Sequence, residues 1–402
     1  MLRFGALLQS LYKVNLIRLG FTLAVCFSIF CFDALAYEGF DYSQENNPSD
    51  SLIFLRKPTE LHLENFGLLK FRGVASFFGM AQSSPTLGDH NLMGDLSNAQ
   101  VISYKDSGLV QYYFQAGMYS IPSLGTSYQR ADNQTKNSFG LVPLAYITIS
   151  PDDYWSLSIG KINSFGGRES TFTFQNINID RGLLWNQTSN VSKGAVLKYS
   201  DQAITVAATI NDGFYSNDMS WFGASMGYQM NSDENLSATW FGSFKQNSAN
   251  TFVTPLAQNN SQIFTVTYTA KSGSWMISPY LQYTYVPERS EIGIMSSAQT
   301  RAAAILMNYQ IFKGSSAIYT LPFRVEYINS SGQTGLSPNL LYGVGSSAWS
   351  ATITPTYQSG EFFARTELSY VQALNSTPGY AFGGAGNITN QKRFMIEFGI
   401  LY

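Results

Sequence analysis

His62 and His90 are the chain's two histidines, the side chains whose ordinary titration falls nearest neutrality. Neither has a serine or carboxylate partner at a recognisable catalytic spacing. The sequence has no Gly-x-Ser-x-Gly, no His-Glu-x-x-His and no Asp-rich calcium loop. Both cysteines, Cys26 and Cys31, lie within the first 36 residues, so thiol chemistry and disulfides are excluded from the rest of the chain. No catalytic residue, metal ligand or cofactor is therefore assigned, and the chain reads as a non-enzyme. The charged residues are more informative. Charge makes up only 12% of 402 residues, about half the globular average. Yet Lys70, Arg72, Lys198, Lys245, Arg324, Glu326, Arg365, Glu367, Arg393 and Glu397 share one face of alternating segments. Seven are positive and three negative. Charges so placed can set an electrostatic field, or pair across neighbouring segments and brace a wall.

The elements that carry them have a period of two, the strand signature. Phe394, Ile396, Phe398, Ile400 and Tyr402 alternate with Met395, Glu397, Gly399 and Leu401. Sixteen such stretches fit between Phe66 and Tyr402. Four of them repeat an aromatic spacing of eight: Phe394 and Tyr402, Phe362 and Tyr370, Tyr319 and Tyr327, Trp349 and Tyr357. At about 3.3 Å rise per residue and a tilt of about 40°, eight residues climb roughly 20 Å, close to the ~25 Å apolar band between the aromatic girdles of a membrane barrel. The connections alternate in length. Short turns such as Lys105-Asp106-Ser107-Gly108, Ser272-Gly273 and Ser359-Gly360 separate long ones at 83–95, 122–137, 164–190, 213–218, 247–260, 287–299, 330–345 and 373–390. The pattern predicts an all-β transmembrane antiparallel barrel of about sixteen strands, with both termini on the periplasmic, short-turn side.

Composition supports that class. With 25 Tyr, 29 Phe, 6 Trp and so little charge, the chain is not disordered. A net charge of −2 without a basic cluster argues against nucleic acid as a partner. Arg3, Lys13 and Arg18 precede an apolar run from Leu19 to Phe32, and Ala34-Leu35-Ala36 closes it with a small-x-small pattern. Residues 1–36 therefore read as a signal peptide cleaved between Ala36 and Tyr37. Fourteen residues are also short of the roughly 20 that span a bilayer. Cleavage removes Arg3, Lys13, Arg18 and Asp33 and takes the net charge to −4. Residues 37–65, rich in Asn, Asp and Glu, are expected as a periplasmic segment, either a flexible tail or a stretch tucked into the lumen. Residues 66–402 form the barrel.

In such a barrel the ten alternating charges line the lumen, because Arg or Lys facing lipid at mid-bilayer costs about 2–4 kcal/mol. The longest connection, 164–190, carries Arg168, Glu169, Asp180 and Arg181 among Phe172, Phe174, Ile177 and Ile179. A solvated loop has no use for that apolar load. Folding inward to constrict the pore would bury it, and a lid over the outer mouth is the competing arrangement. The expected partners are the lipid bilayer and lipopolysaccharide, the outer-membrane assembly machinery through the last strand ending at Tyr402, and small hydrophilic solutes. The expected function is passive diffusion across the bacterial outer membrane, with weak anion preference from the seven inward cations. The alternative is a surface adhesin with an occluded lumen and long binding loops. A carrier of apolar substrates is disfavoured by inward Thr265, Thr267, Thr269, Ser278, Gln282, Thr352, Thr354 and Thr356.

The stretch Gly160-Lys161-Ile162-Asn163-Ser164-Phe165-Gly166-Gly167-Arg168-Glu169 resembles the Gly-Lys-Phe-x-Thr-Pro-x-Gly-x-Glu segment of the OmpL-like family of β-barrel porins. Gly160, Lys161, Gly167 and Glu169 match, and Phe165 stands where the family has proline. Gly194-Ala195-Val196-Leu197-Lys198-Tyr199 and Asn211-Asp212-Gly213-Phe214 resemble the hairpin that follows. The resemblance extends from Phe66 to Tyr402 and implies an outer-membrane channel. Sixteen-stranded general porins fold the external loop after strand five into the pore, which is the position of residues 164–190.

Overall fold

The computed structural model describes residues 52, 56–64, 66–164, 167–314 and 317–402. The expected cleavage site, Ala36 and Tyr37, lies outside the described residues, as does Phe165. In chain order the strands are β1 (Thr59–Leu63), β2 (Gly67–Gln82), β3 (Leu92–Lys105), β4 (Val110–Tyr119), β5 (Leu144–Ile149), β6 (Trp155–Asn163), β7 (Val191–Ser200), β8 (Ile204–Asn211), β9 (Trp221–Asn231) and β10 (Glu234–Ser243). They continue as β11 (Gln262–Ser272), β12 (Trp275–Val286), β13 (Ala298–Lys313), β14 (Ala317–Gly332), β15 (Ser347–Ile353), β16 (Thr356–Ser359), β17 (Phe362–Leu374) and β18 (Asn390–Leu401).

From β2 onward neighbours in sequence pair antiparallel, and β18 returns to β2, with Arg393 opposite Gln82 and Leu401 opposite Val74. The sheet is thereby closed. β15 and β16 share one lane, since both pair with β14 and with β17. The lane is broken at Pro355, which has no N–H to give the ladder. The strand expected over 346–358 is thus a single lane in two pieces, and the barrel has sixteen lanes. The strand expected over 138–150 begins only at Leu144. Ahead of it a short helix, α1 (Ala131–Asn137), and residues 138–143 complete the connection. Pro143 again marks the limit of pairing.

Alternation becomes two chemically distinct faces. On β14, Arg324 and Glu326 are buried inside at 0% and 1% exposure, while Val325 and Tyr327 are 49% and 46% exposed outside. On β18, Arg393, Met395 and Glu397 are buried, and Phe398 and Ile400 are exposed, as is Tyr402 just past its end. Outward rings pair near both rims. Trp155 with Tyr199 (5.1 Å) and Trp275 with Tyr309 (4.6 Å) lie by the short turns. Phe222 with Trp240 (6.1 Å) and Trp349 with Tyr370 (5.2 Å) lie by the long loops. An apolar exterior bounded by two aromatic belts suits a bilayer. No helix among the described residues is long and apolar enough to cross one.

β1 was not expected as a strand. It pairs with the short-turn end of β2, Thr59 opposite Phe71, on the edge that β18 leaves when the chain ends at Tyr402. Leu52, upstream of it, is buried with Val74, Ile102, Phe172, Phe174 and Phe363 inside the barrel. Of the two arrangements open for residues 37–65, this one residue lies where a tucked segment would put it.

Candidate functional site

The connection between β6 and β7 lies within the barrel rather than across its mouth. Its apolar residues face the inner wall in two directions. Phe172 and Phe174 join Val74, Ile102 and Tyr119, whereas Ile177, Leu183 and Leu184 join Tyr280, Ala302, Leu306 and Ile328. A buried loop has no ladder to satisfy its backbone, so each N–H and C=O needs another partner. The wall charges supply them.

Glu367 on β17 accepts the consecutive amides of Ile179 (2.5 Å) and Asp180 (3.1 Å) and the Thr354 hydroxyl (2.8 Å). Glu326 on β14 accepts the amides of Leu183 (3.0 Å) and Leu184 (3.3 Å) and the Ser350 hydroxyl (2.6 Å). Between these pairs, Gly182 donates to Glu169 at 3.1 and 2.9 Å. A side chain at Gly182 would collide with the Glu326 carboxylate, within 2.0 Å of its Cβ position. Arginines complete the frame from the opposite polarity. Arg324 pairs with Glu169 (2.5 Å) and Glu326 (3.3 Å) and donates to the Asp180 carbonyl (2.7 Å). Arg365 pairs with Glu397 (2.6 Å) and donates to the carbonyls of Asn176 and Thr173, both at 2.8 Å. Arg393 pairs with Asp180 (2.8 Å) and donates to the Ser123 carbonyl (3.0 Å) of the preceding long connection. Within the loop, Arg181 donates to the carbonyls of Ile179 and Thr171, and Arg168 to the Ser278 hydroxyl on β12 (2.7 Å). Ion pairs and loop carbonyls thus share the same guanidinium groups, the arrangement that satisfies buried charge.

The wall on the other side is unlike this. On β9 and β10 the inward residues Ser225, Gly227, Gln229, Ser237 and Thr239 are half-buried. Small hydroxyl side chains and glycines leave room where the packed side has none. Lys198 on β7 is exposed on this inner face. At the short-turn end a cavity of about 300 Å³ is lined by Lys271, Lys313, Arg365, Gln310, Gln358 and Leu52, among others.

The candidate residues therefore separate into three groups. Arg324, Glu326, Arg365, Glu367, Arg393 and Glu397 meet Arg168, Glu169, Asp180 and Arg181 in one network. Lys70 pairs with Asp106 of the adjoining turn (2.8 Å), and Arg72 donates to the Tyr104 hydroxyl (3.3 Å). Lys245 is a correction. β10 ends at Ser243, and Lys245 lies beyond it, paired with Asp218 of the neighbouring connection at 2.7 Å, so it is no part of the wall. His62, on β1, is opposite Leu68 of β2, and His90 is held beside Gln82 at that strand's far end (2.8 Å). Fourteen residues of strand, roughly 45 Å, separate them, so they form no joint site. Among the described residues no group of three His, Cys, Asp or Glu side chains could hold a metal ion.

The family described as “Putative beta-barrel porin-2, OmpL-like” matches residues 73–402. The chain belongs to this family. It is an outer-membrane β-barrel of the porin type. Among solved structures the porin is similar in fold to an anion-selective porin from Comamonas acidovorans, at 10% identity over 83% of this chain and 99% of that one, TM-score 0.55. It is similar also to OmpF of Salmonella typhi in complex with daunomycin (13% identity, 86% and 100% coverage, TM-score 0.55). A third is outer-membrane expressed OmpT of Vibrio cholerae (12% identity, 86% and 100%, TM-score 0.54). Comparison with curated proteins gives no match.

Two further cations belong to the porin's inner face, one continuing the alternation of Thr265, Thr267 and Thr269 and one that escapes alternation. Lys271 is the next-to-last residue of β11. Lys313 follows a break in register between Gln310 and Phe312, which returns it to the inner side opposite Ile318. A stretch of two-fold period ending in Ile311-Phe312-Lys313 gives no sign of that extra residue. The hydrogen-bonding polar residues of the loop, Thr173, Asn176 and Asn178, also carry no charge pattern to mark them.

Proposed function

We propose that the protein is a passive channel for small hydrophilic solutes across the outer membrane, with long connections outside and short turns and both termini in the periplasm. The observation that carries this reading is the asymmetry of the lumen. One wall is packed by the 164–190 connection, and the other presents half-buried Ser, Thr and Gly on β9 and β10. Solutes would pass along the second wall, in a passage narrowed from the width of an empty sixteen-strand barrel.

Ion preference follows from charges left facing water rather than from all inward charges. Arg324, Arg365 and Arg393 are neutralised by Glu169, Glu326, Glu397 and Asp180. The surplus of seven cations over three anions therefore overstates the field. Lys198, exposed on the inner face of β7, keeps its sign positive, which supports a weak anion preference. The test is reconstitution in planar bilayers. Discrete conductance steps with a reversal potential favouring anions at low salt are expected. No conductance would transfer the function to the adhesin reading, which the buried Leu124, Tyr342 and Phe382 of other long connections also suit.

A further inference from the structure

The outward face of the barrel differs in charge between its two ends. Among the described residues, Lys161, Lys193, Arg301 and Lys392 face outward, each within three residues of the long-loop end of its strand. That half of the outward face holds no Asp or Glu among the described strand residues; Glu234, an outward acid, opens β10 at a short turn. Lys161 and Lys193 are opposite each other and lean on the Tyr215 ring, at 5.3 and 4.0 Å. Lys161 also donates to the carbonyls of Phe139 (2.9 Å) and Val142 (2.6 Å). Arg301 has no such neighbours. It is exposed on β13, and among the described residues it makes no hydrogen bond, ion pair or ring contact. An outward guanidinium is costly at the bilayer midplane and far less so at its edge. Register puts Arg301 at the edge: it is opposite Tyr283, Tyr283 is opposite Phe264, and Phe264 is opposite Trp240 of the outer aromatic belt.

Polar groups lie on one side of this arginine and a groove on the other. Tyr283 donates its hydroxyl to Gln299 Oε1 (2.7 Å), which leaves the Gln299 Nε2 hydrogens to donate elsewhere. Gln299 is two residues from Arg301 on the same face, and Asn329 of β14 is opposite Arg301. On the Tyr283 side, Trp240, Phe264, Tyr283 and Tyr285 line an outward groove of about 260 Å³. We propose that this is a lipid site: Arg301, with the amides of Gln299 and Asn329, holds the phosphate of an anionic membrane lipid, and the aromatic groove beside it takes one of that lipid's acyl chains. The guanidinium fork matches phosphate oxygens in two-point contact. A free phosphate would use the fork alone, whereas a lipid fills both halves of the site. Assignment to the outer leaflet rests on the orientation proposed above, with the long connections outside. The site itself does not depend on it.

Trp240 reports on the groove. The folded protein is placed in phosphatidylcholine nanodiscs that contain a small fraction of a lipid brominated on its acyl chains, which quenches tryptophan on contact. The Trp240 signal is taken as the difference from Trp240→Phe. Occupancy read from this quenching should be about fivefold higher for brominated phosphatidic acid than for brominated phosphatidylcholine at the same fraction. Arg301→Gln should abolish the difference. Lys392→Gln removes the same charge from the same rim four lanes further round the barrel, and should leave the difference intact, as should excess inorganic phosphate. Equal quenching by the two lipids would overturn the proposal, as would an Arg301→Gln variant that keeps the preference. An equal loss in Lys392→Gln would mean diffuse rim charge, and displacement by inorganic phosphate would mean a site for a free anion. Either result also overturns the lipid site. No arm reads conductance, so a barrel that does not conduct would end the channel reading and leave this test standing.

Discussion

Glu367 accepts two successive loop amides through its two carboxylate oxygens, so its charge is spent on backbone rather than on the lumen. Hydrogen bonds to a charged group contribute about 1.5–3 kcal/mol each, and 1.4 kcal/mol is a factor of ten. Glu367→Gln keeps the shape and removes the charge. The amides of Ile179 and Asp180 should then exchange with deuterium roughly tenfold faster or more, with β17 itself little changed. Unaltered exchange would mean that apolar packing alone holds the segment. Asp201 shows the same chemistry at an exposed turn. It accepts the amides of Ala203 (2.8 Å) and Ile204 (2.7 Å), and these hold its carboxyl below the usual carboxylate range. A depressed value means stability that is present above the ordinary aspartate range and lost as pH falls through the lowered one. Protection of the β7–β8 turn should therefore persist at pH 5 and fade only under strongly acid conditions, and Asp201→Ala should remove that dependence. A turn whose protection already fades between pH 5 and 4 would contradict the assignment.

The 164–190 connection behaves as an element in its own right, although it has little regular structure. Removing residues 168–187 deletes Arg168, Glu169, Asp180 and Arg181 together, which leaves the loop's charge balance untouched. Arg324, Arg365 and Arg393 would still face Glu326, Glu367 and Glu397. Single-channel conductance should rise several-fold while the sign of the reversal potential stays the same. A reversal of sign would show that the loop, not Lys198 on the wall, sets the ion preference. Much of this layer is legible in sequence. Alternation on β14, β17 and β18 gives the inward side of Arg324, Glu367 and Arg393, and the apolar load of Phe172, Phe174, Ile177 and Ile179 marks the segment that must be buried. The partners are not legible, because Glu367 with Ile179 or Arg393 with Asp180 are meetings across the barrel that local periodicity cannot specify. Pro355 interrupting a lane and the extra residue near Ile311 are visible only once the register of neighbouring strands is known. Lys245 escapes for a related reason: alternation continues briefly past Ser243, where β10 has ended.

As a whole molecule the barrel carries inner-face cations, Lys198, Lys271 and Lys313, toward its short-turn end. The Debye length is about 10 Å at 0.1 M salt and about 3 Å at 1 M. Anion preference should therefore weaken steadily over that range. Lys198→Gln should reduce it at low salt, while Lys245→Gln should leave it unchanged, because that residue is paired outside the wall. Equal effects from the two would point to the mouth rather than the lumen as the selective region. The closed sheet has one further property at its seam. β2 extends past the end of β18, and its edge from Gly67 to Phe71 would present an unpaired row of N–H and C=O groups to any passing strand. β1 occupies that row. The chain thus supplies its own sacrificial neighbour where β2 outruns β18, and the same five residues that cap the sheet there also protect it from templating edge-to-edge association with a second copy.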